Sequence, residues 1–398
     1  MTETQWAQQA QAFIAEHWPD AQQLPQPGSY HLASLRWYAA LAECGWSVPH
    51  WPLAQGGQRW PKQQLYQWQM FCQQAQTPPL NTLAMSVVAP LLMSHGSAQQ
   101  QAYWLAEIAD FAAHWALALL EPVNAKTAPP TRLQQGDNGL VLVGEKRAMA
   151  DGLLASTELA KDALWPSRLL CLALDSTDTW TACALGADSP GLSMAPVANA
   201  RGRWFHVEFD AVAVADADIL PLRGDGLLAA LADPAAGQDT ILPSASSHGI
   251  AQQLELLRED LLVAPHEDSV DLLQQLSAAE VALQGLQALE IRAMAPRSAQ
   301  LPEPLPMSVL QLKAQALQEQ IGTLQLASFG YYALPQAAGL SGHNEGPIDP
   351  RGNAARDTAL QTSEALAALA ASGYGWDPRD LLARHWLGLG SRTNRHEG

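Results

Sequence analysis

Positive charge is scarce in this sequence: 22 lysines and arginines stand against 39 aspartates and glutamates, a formal net charge of −17. So acidic a chain repels phosphate backbones and anionic headgroups, which argues against nucleic acid and membrane surfaces as partners. Cysteine is scarce as well. The four, Cys44, Cys72, Cys171 and Cys183, show no CxxC pair and no zinc-type spacing, so they are expected as small core residues in a reducing compartment. No apolar run approaches the roughly 20 residues of a membrane-spanning helix, and Met1 to Trp6 carries neither a basic nor an apolar leader region; the expected localisation is cytoplasmic. His206, His248 and His343 lack ligand spacing, so no metal is expected. Phosphate-loop, Ser-His-Asp and paired-carboxylate signatures are also missing.

What is present is globular. Of the 398 residues 48% are hydrophobic and 15% charged, enough for two or three domains. The 14 tryptophans are expected to pack in cores and interfaces. Residues 1–115 keep helical spacing, as in Trp6, Ala10, Phe13 and Ile14, broken by the Pro- and Gly-punctuated loop Trp46 to Gly57. Residues 116–222 switch to short runs rich in Val, Leu, Trp and Phe: Leu140 to Val143, Arg168 to Leu174, Trp180 to Leu185 and Trp204 to Val212. These predict antiparallel-type strands in a sandwich or barrel. From 223 to 398 helical spacing returns, through Leu254, Leu257, Leu261 and Leu262, then Val281 to Ile291, Val309 to Phe329 and Thr358 to Ala371, a helical bundle. The fold class is α+β: an N-terminal helical domain, a middle antiparallel β domain and a C-terminal bundle.

Six segments in that layout carry more. They are Gly45-Trp-Ser-Val-Pro49 with Gly56-Gly57, Leu119-Leu-Glu-Pro122, Val143-Gly-Glu-Lys146, Pro190-Gly-Leu192, Phe209 to Val214, and Leu381 to Leu389. In this order they resemble the conserved elements of the acyl-CoA dehydrogenase family. Met307 to Lys313 and Phe329 to Pro335 are similar to the branch acting on bulky or dicarboxylic acyl-CoAs. The resemblance implies FAD, an acyl-CoA substrate, and association with a paralogous subunit or with a second copy of the chain.

The same resemblance exposes what is altered. α,β-Dehydrogenation needs a carboxylate to take the α-proton and a flavin, held by donors near its reactive edge, to take the β-hydride. Where the family lines the flavin with Thr of Thr-Glu-Pro and with Trp-x-Thr, this chain carries Leu120, Ala148 and Ala150. Asn124-Ala-Lys-Thr127 replaces the family's Ala-Gly-Ser-Asp and offers Lys126 as a phosphate cation. The family's base position falls on Ser372, which has no paired base to activate it. Asp233 and Asp239 are the carboxylates in the segment where other members place the base. Arg292 and Arg297 are candidate remnants of a basic segment that reaches a neighbouring cofactor. Three functions fit: a degenerate partner subunit of a hetero-oligomeric dehydrogenase, a self-sufficient FAD enzyme with a divergent base, or a non-enzymatic acyl-thioester scaffold.

Overall fold

The computed structural model describes residues 3–18, 27–78, 83–122, 130–150, 165–197, 204–232, 246–263, 269–294 and 307–329, with single positions at 379, 383, 387 and 389. The chain divides into two compact units, Met1–Ser244 and Ala245–Gly398.

The first unit opens with α1 (Glu3–His17), α2 (Pro27–Glu43) and α3 (Lys62–Gln74), followed by the short α4 (Ala89–His95) and α5 (Ala98–Ala109). Trp6, Ala10 and Ile14 recur every fourth residue and form the buried stripe of α1; Leu65, Trp68 and Cys72, spaced by three and four, form that of α3. Between these helices the tryptophans pack as expected. Trp37 stacks on Trp68 with ring centroids 6.0 Å apart, and Phe13 lies 4.7 Å from Trp46. The loop after α2 is tied back by its own backbone, Trp46 donating to Leu41 O at 2.8 Å and Trp60 to Pro49 O at 2.9 Å. Ser97 and Gln100 close a capping box at the start of α5. The Gln100 amide also donates to Ala217 O and Ile219 O, both at 2.8 Å, fastening α5 to the end of the β region.

Among the described residues seven strands follow: β1 (Trp115–Leu120), β2 (Arg132–Gly136), β3 (Gly139–Ala150), β4 (Arg168–Leu174), β5 (Trp180–Gly186), β6 (Leu192–Pro196) and β7 (Trp204–Val214). They join one sheet. Register explains its build. Ala118 and Arg132 sit beside Cys171 and Leu174 of β4, and Leu120 and Arg132 sit beside Arg147 and Val143 of β3. β1 and β2 are thus two halves of one lane between β4 and β3, with their junction at Glu121 to Thr131. Both run parallel to β4, while the other ladders are antiparallel. Alternation along a strand reports its buried face and not its neighbour's direction, which is why the sequence suggested antiparallel pairing throughout. One apolar cluster collects Ala116, Ala148, Cys171, Cys183, Phe205 and Val207, among others. The helix α6 (Gly224–Ala232) buries Leu227 and Leu231 and belongs to this same unit.

In the second unit α7 (Ser246–Val263), α8 (Ser269–Met294) and α9 (Met307–Phe329) share one core. Each contributes residues alternating by four and three: Ile250, Leu254, Leu257, Leu261; then Leu272, Leu276, Ala279, Leu283, Leu286; then Leu310, Ala314, Leu317, Ile321, Leu324. That is the narrow seam of near-parallel helix packing. The expected helix Thr358 to Ala371 lies outside the described residues.

Candidate functional site

The junction between β1 and β2 is the most chemically unusual place in the first unit. Lys146 has no exposed surface, yet its ammonium lies 2.5 Å from Glu121 Oε1, whose side chain is 10% exposed. The Trp180 ring covers the ammonium at 5.7 Å. Beside them, the Thr131 hydroxyl donates to Glu145 O at 2.8 Å. Gly144 makes this approach possible: its φ is +135°, and a Cβ there would sit 2.7 Å from Thr131 Cα. A lone buried ammonium costs several kcal/mol, and Glu121 is the partner that offsets this cost inside the sheet. Glu121 belongs to Leu119-Leu-Glu-Pro122 and Lys146 to Val143-Gly-Glu-Lys146. The pair therefore joins two of the segments singled out in the sequence.

The positions matched to flavin contacts lie within a few residues of this pair. Ala148 is fully buried and Ala150 is 7% exposed; both belong to the apolar cluster, where Ala148 faces Ala118 on one side and Phe205 on the other. After a bulge at Leu119, Leu120 pairs with Arg147 instead of continuing the alanine row, and it is half-buried. Leu120, Ala148 and Ala150 offer no side-chain hydrogen-bond donor, hydroxyl or ring to a flavin. On this measure the residues present do not fit the grip that the fold's cofactor would need.

Lys126, Asp233, Asp239, Ser372 and Arg297 lie outside the described residues. Arg292 is exposed on α8. Sequence reasoning passed over Glu290, the one carboxylate without exposed surface among the described residues. It accepts the Ser247 amide N–H at 3.2 Å and a short hydrogen bond from the Ser247 hydroxyl. Glu290 thus neutralises the start of α7, where unpaired N–H groups and the helix dipole favour an anion. The neighbouring His248 is held below its usual pKa by burial, with Glu290 pulling the other way.

Cys171 and Cys183 face each other across β4 and β5, both buried, and all four cysteines are free. His206 was read as an isolated histidine, but Glu145 Oε2 and Glu208 Oε1 lie 3.8 and 3.3 Å from its Nε2. The spacing rule missed this set because Glu145 comes from another strand, paired with Glu208 across β3 and β7. Among the described residues no helix is long and apolar enough to cross a membrane.

Residues 2–112 match the acyl-CoA dehydrogenase N-terminal domain family. Among curated proteins no sequence matches. Solved structures similar over nearly the full length include the ChsE4–ChsE5 complex from Mycobacterium tuberculosis, with TM-score 0.66, 17% identity, and 99% of each chain covered. A variant of the Tcur3481–Tcur3483 steroid ACAD aligns with TM-score 0.68 and 15% identity, covering 98% of this chain and 100% of the other. The FAD complex of PigA aligns with TM-score 0.65 and 15% identity, covering 98% of both. At these identities the likeness shows the fold, and it extends along the whole chain.

Proposed function

We propose that this chain, which has the acyl-CoA dehydrogenase fold, is the catalytically degenerate subunit of a hetero-oligomeric acyl-CoA dehydrogenase, with FAD and the catalytic base supplied mainly by a paralogous partner. One observation carries the reading. Two matched segments keep the residues that brace the sheet, Glu121 and Lys146, as a buried ion pair. The flavin-matched positions, Leu120 within the first of these segments and Ala148 and Ala150 just after the second, hold no side-chain donor. A subunit whose chemistry is supplied elsewhere needs the first set to hold its sheet and has no need of donors at the second. When bound, the flavin of such an assembly accepts the hydride.

The solved heterocomplexes support a paralogous partner, and the steroid ACAD favours the steroid-derived side of the substrate class, a bulky acyl-CoA, steroid-derived or dicarboxylic, that the sequence resemblance implies. Exposed apolar side chains on the second unit, among them Leu262, Val270, Val281 and Ile291, supply surface for association through the C-terminal helices. The division at 115 and 222 and the roles of Lys126, Asp233, Asp239 and Ser372 belong to the same reading.

Co-expression with the paralogous dehydrogenase subunit tests it. The two chains should co-purify, and acyl-CoA dehydrogenation should require both. A stable monomer by sedimentation, alone and beside every paralogue, would refute the assignment. Turnover by this chain alone would replace it with a self-sufficient enzyme, and co-purification without turnover would favour a scaffold.

A further inference from the structure

The outward face of the β3–β7 ladder carries a charge arrangement that the dehydrogenase fold does not require. Glu145 and Glu208 are directly opposite each other in register. Like charges in that relation destabilise a sheet. Among the described residues neither carboxylate is ion-paired with a lysine or arginine; the one basic group beside both is His206. Arg147, the cross-strand neighbour of His206, has its guanidinium over the Trp204 ring at 5.2 Å.

We propose that Glu145, His206 and Glu208 bind one divalent ion of the zinc class. Each side chain offers one ligand atom, and the three atoms lie within 4.8 Å of one another. Four ligands at zinc-type distances of about 2.0–2.1 Å stand about 3.3–3.4 Å apart in a tetrahedron. His206 Nε2 to Glu208 Oε1 is 3.3 Å, already at that edge, and His206 Nε2 to Glu145 Oε2 is 3.8 Å, half an ångström from it. Two carboxylates and a neutral imidazole sum to the charge that a divalent ion cancels, which also removes the repulsion across the ladder.

An imidazole with two carboxylates suits zinc better than magnesium or calcium, which take all-oxygen sets of higher coordination number. The ligands stand on two paired strands, so little ordering is left for binding. The Ser193 hydroxyl, 3.5 Å from Glu208 Oε2, lies beside the carboxylate oxygen turned away from His206. Side-chain exposures of 37% for His206, 50% for Glu145 and 59% for Glu208 leave an entry path and a fourth position open to water. The ion would pin β3 to β7 and has no part in the dehydrogenase reading.

Calorimetric titration of the metal-free full chain with zinc chloride at neutral pH tests the site, with magnesium and calcium chloride as controls. The wild type should bind one zinc with micromolar affinity and unfold at a higher temperature when loaded. His206→Ala should weaken binding by at least about tenfold, the range lost even when only an outer-shell partner is removed. Glu145→Gln with Glu208→Gln should also lose the ion, while unfolding no earlier than the metal-free wild type because the repulsion is gone. Zinc binding that is absent from the wild type, unchanged in His206→Ala, or matched by magnesium would overturn the proposal.

Discussion

Lys146 and Glu121 form a buried ion pair inside the sheet of the first unit. Removing one partner of a buried ion pair leaves the other uncompensated, so Lys146→Met should destabilise the first unit by about 3–5 kcal/mol in urea unfolding. Adding Glu121→Leu should recover part of that loss. A single variant as stable as the wild type would mean that the pair is solvated in solution. His50 gives the second residue-scale expectation. Burial pushes its pKa down from 6.5 to about 4. Between these values the unfolded chain binds the extra proton and the folded chain does not. The stability contribution is therefore complete above about pH 6.5 and is lost as pH falls toward 4, by up to about 3 kcal/mol. His114, whose pKa burial also lowers, adds in the same direction. Urea unfolding at pH 7.5 and 5 should show a smaller pH loss for His50→Gln than for the wild type; equal losses would contradict the assignment. At this scale the sequence displayed the residues but not their partners. Glu121 and Lys146 were legible as motif members, whereas their pairing, and that of His206 with Glu145, depends on strand register.

Elements explain why some motifs could be read and others could not. Pro190-Gly-Leu192 was legible because Gly191 is a backbone necessity. Its φ is +86°, and a Cβ there would lie 2.3 Å from Asp210 O, to whose N–H Gly191 O is hydrogen-bonded at 2.9 Å. The strands β4, β5 and β7 were legible from apolar runs. β2, Arg-Leu-Gln-Gln-Gly, buries one residue of five and gave no such signal. In the second unit the four-and-three spacing located α7, α8 and α9, but the cap on α7 is supplied by Glu290, 43 residues from Ser247 in sequence. Replacing Glu290 by alanine strands the Ser247 N–H in the core and leaves its hydroxyl only the 3.4 Å contact with His248 Nδ1. A loss of about 2–3 kcal/mol is expected, with fraying of the first turn of α7 visible in amide exchange. Unchanged protection at residues 247–250 would show that the carboxylate is dispensable.

For the whole molecule, the order helices, strands, helices and the likeness to acyl-CoA dehydrogenases were legible because six segments fall in sequence order. The candidate site was legible only as a set of substitutions. Leu120, Ala148 and Ala150 are proposed, from the sequence resemblance, to stand in place of flavin-lining residues, and the packing adds a reason that Ala148→Trp should not simply restore a site. Ala148 lies fully buried between Ala118 and Phe205, so an indole there should overpack the core and cost about 1–3 kcal/mol in urea unfolding. The proposed function makes this chain dependent on a partner for its cofactor. The measurement that tests it most directly is the flavin content of the full chain expressed and purified without a paralogue, read from its visible absorbance and from FAD released on denaturation. The purified protein should be colourless, with far less than one FAD per chain, even after incubation with excess FAD. A yellow protein carrying close to one FAD per chain would contradict it.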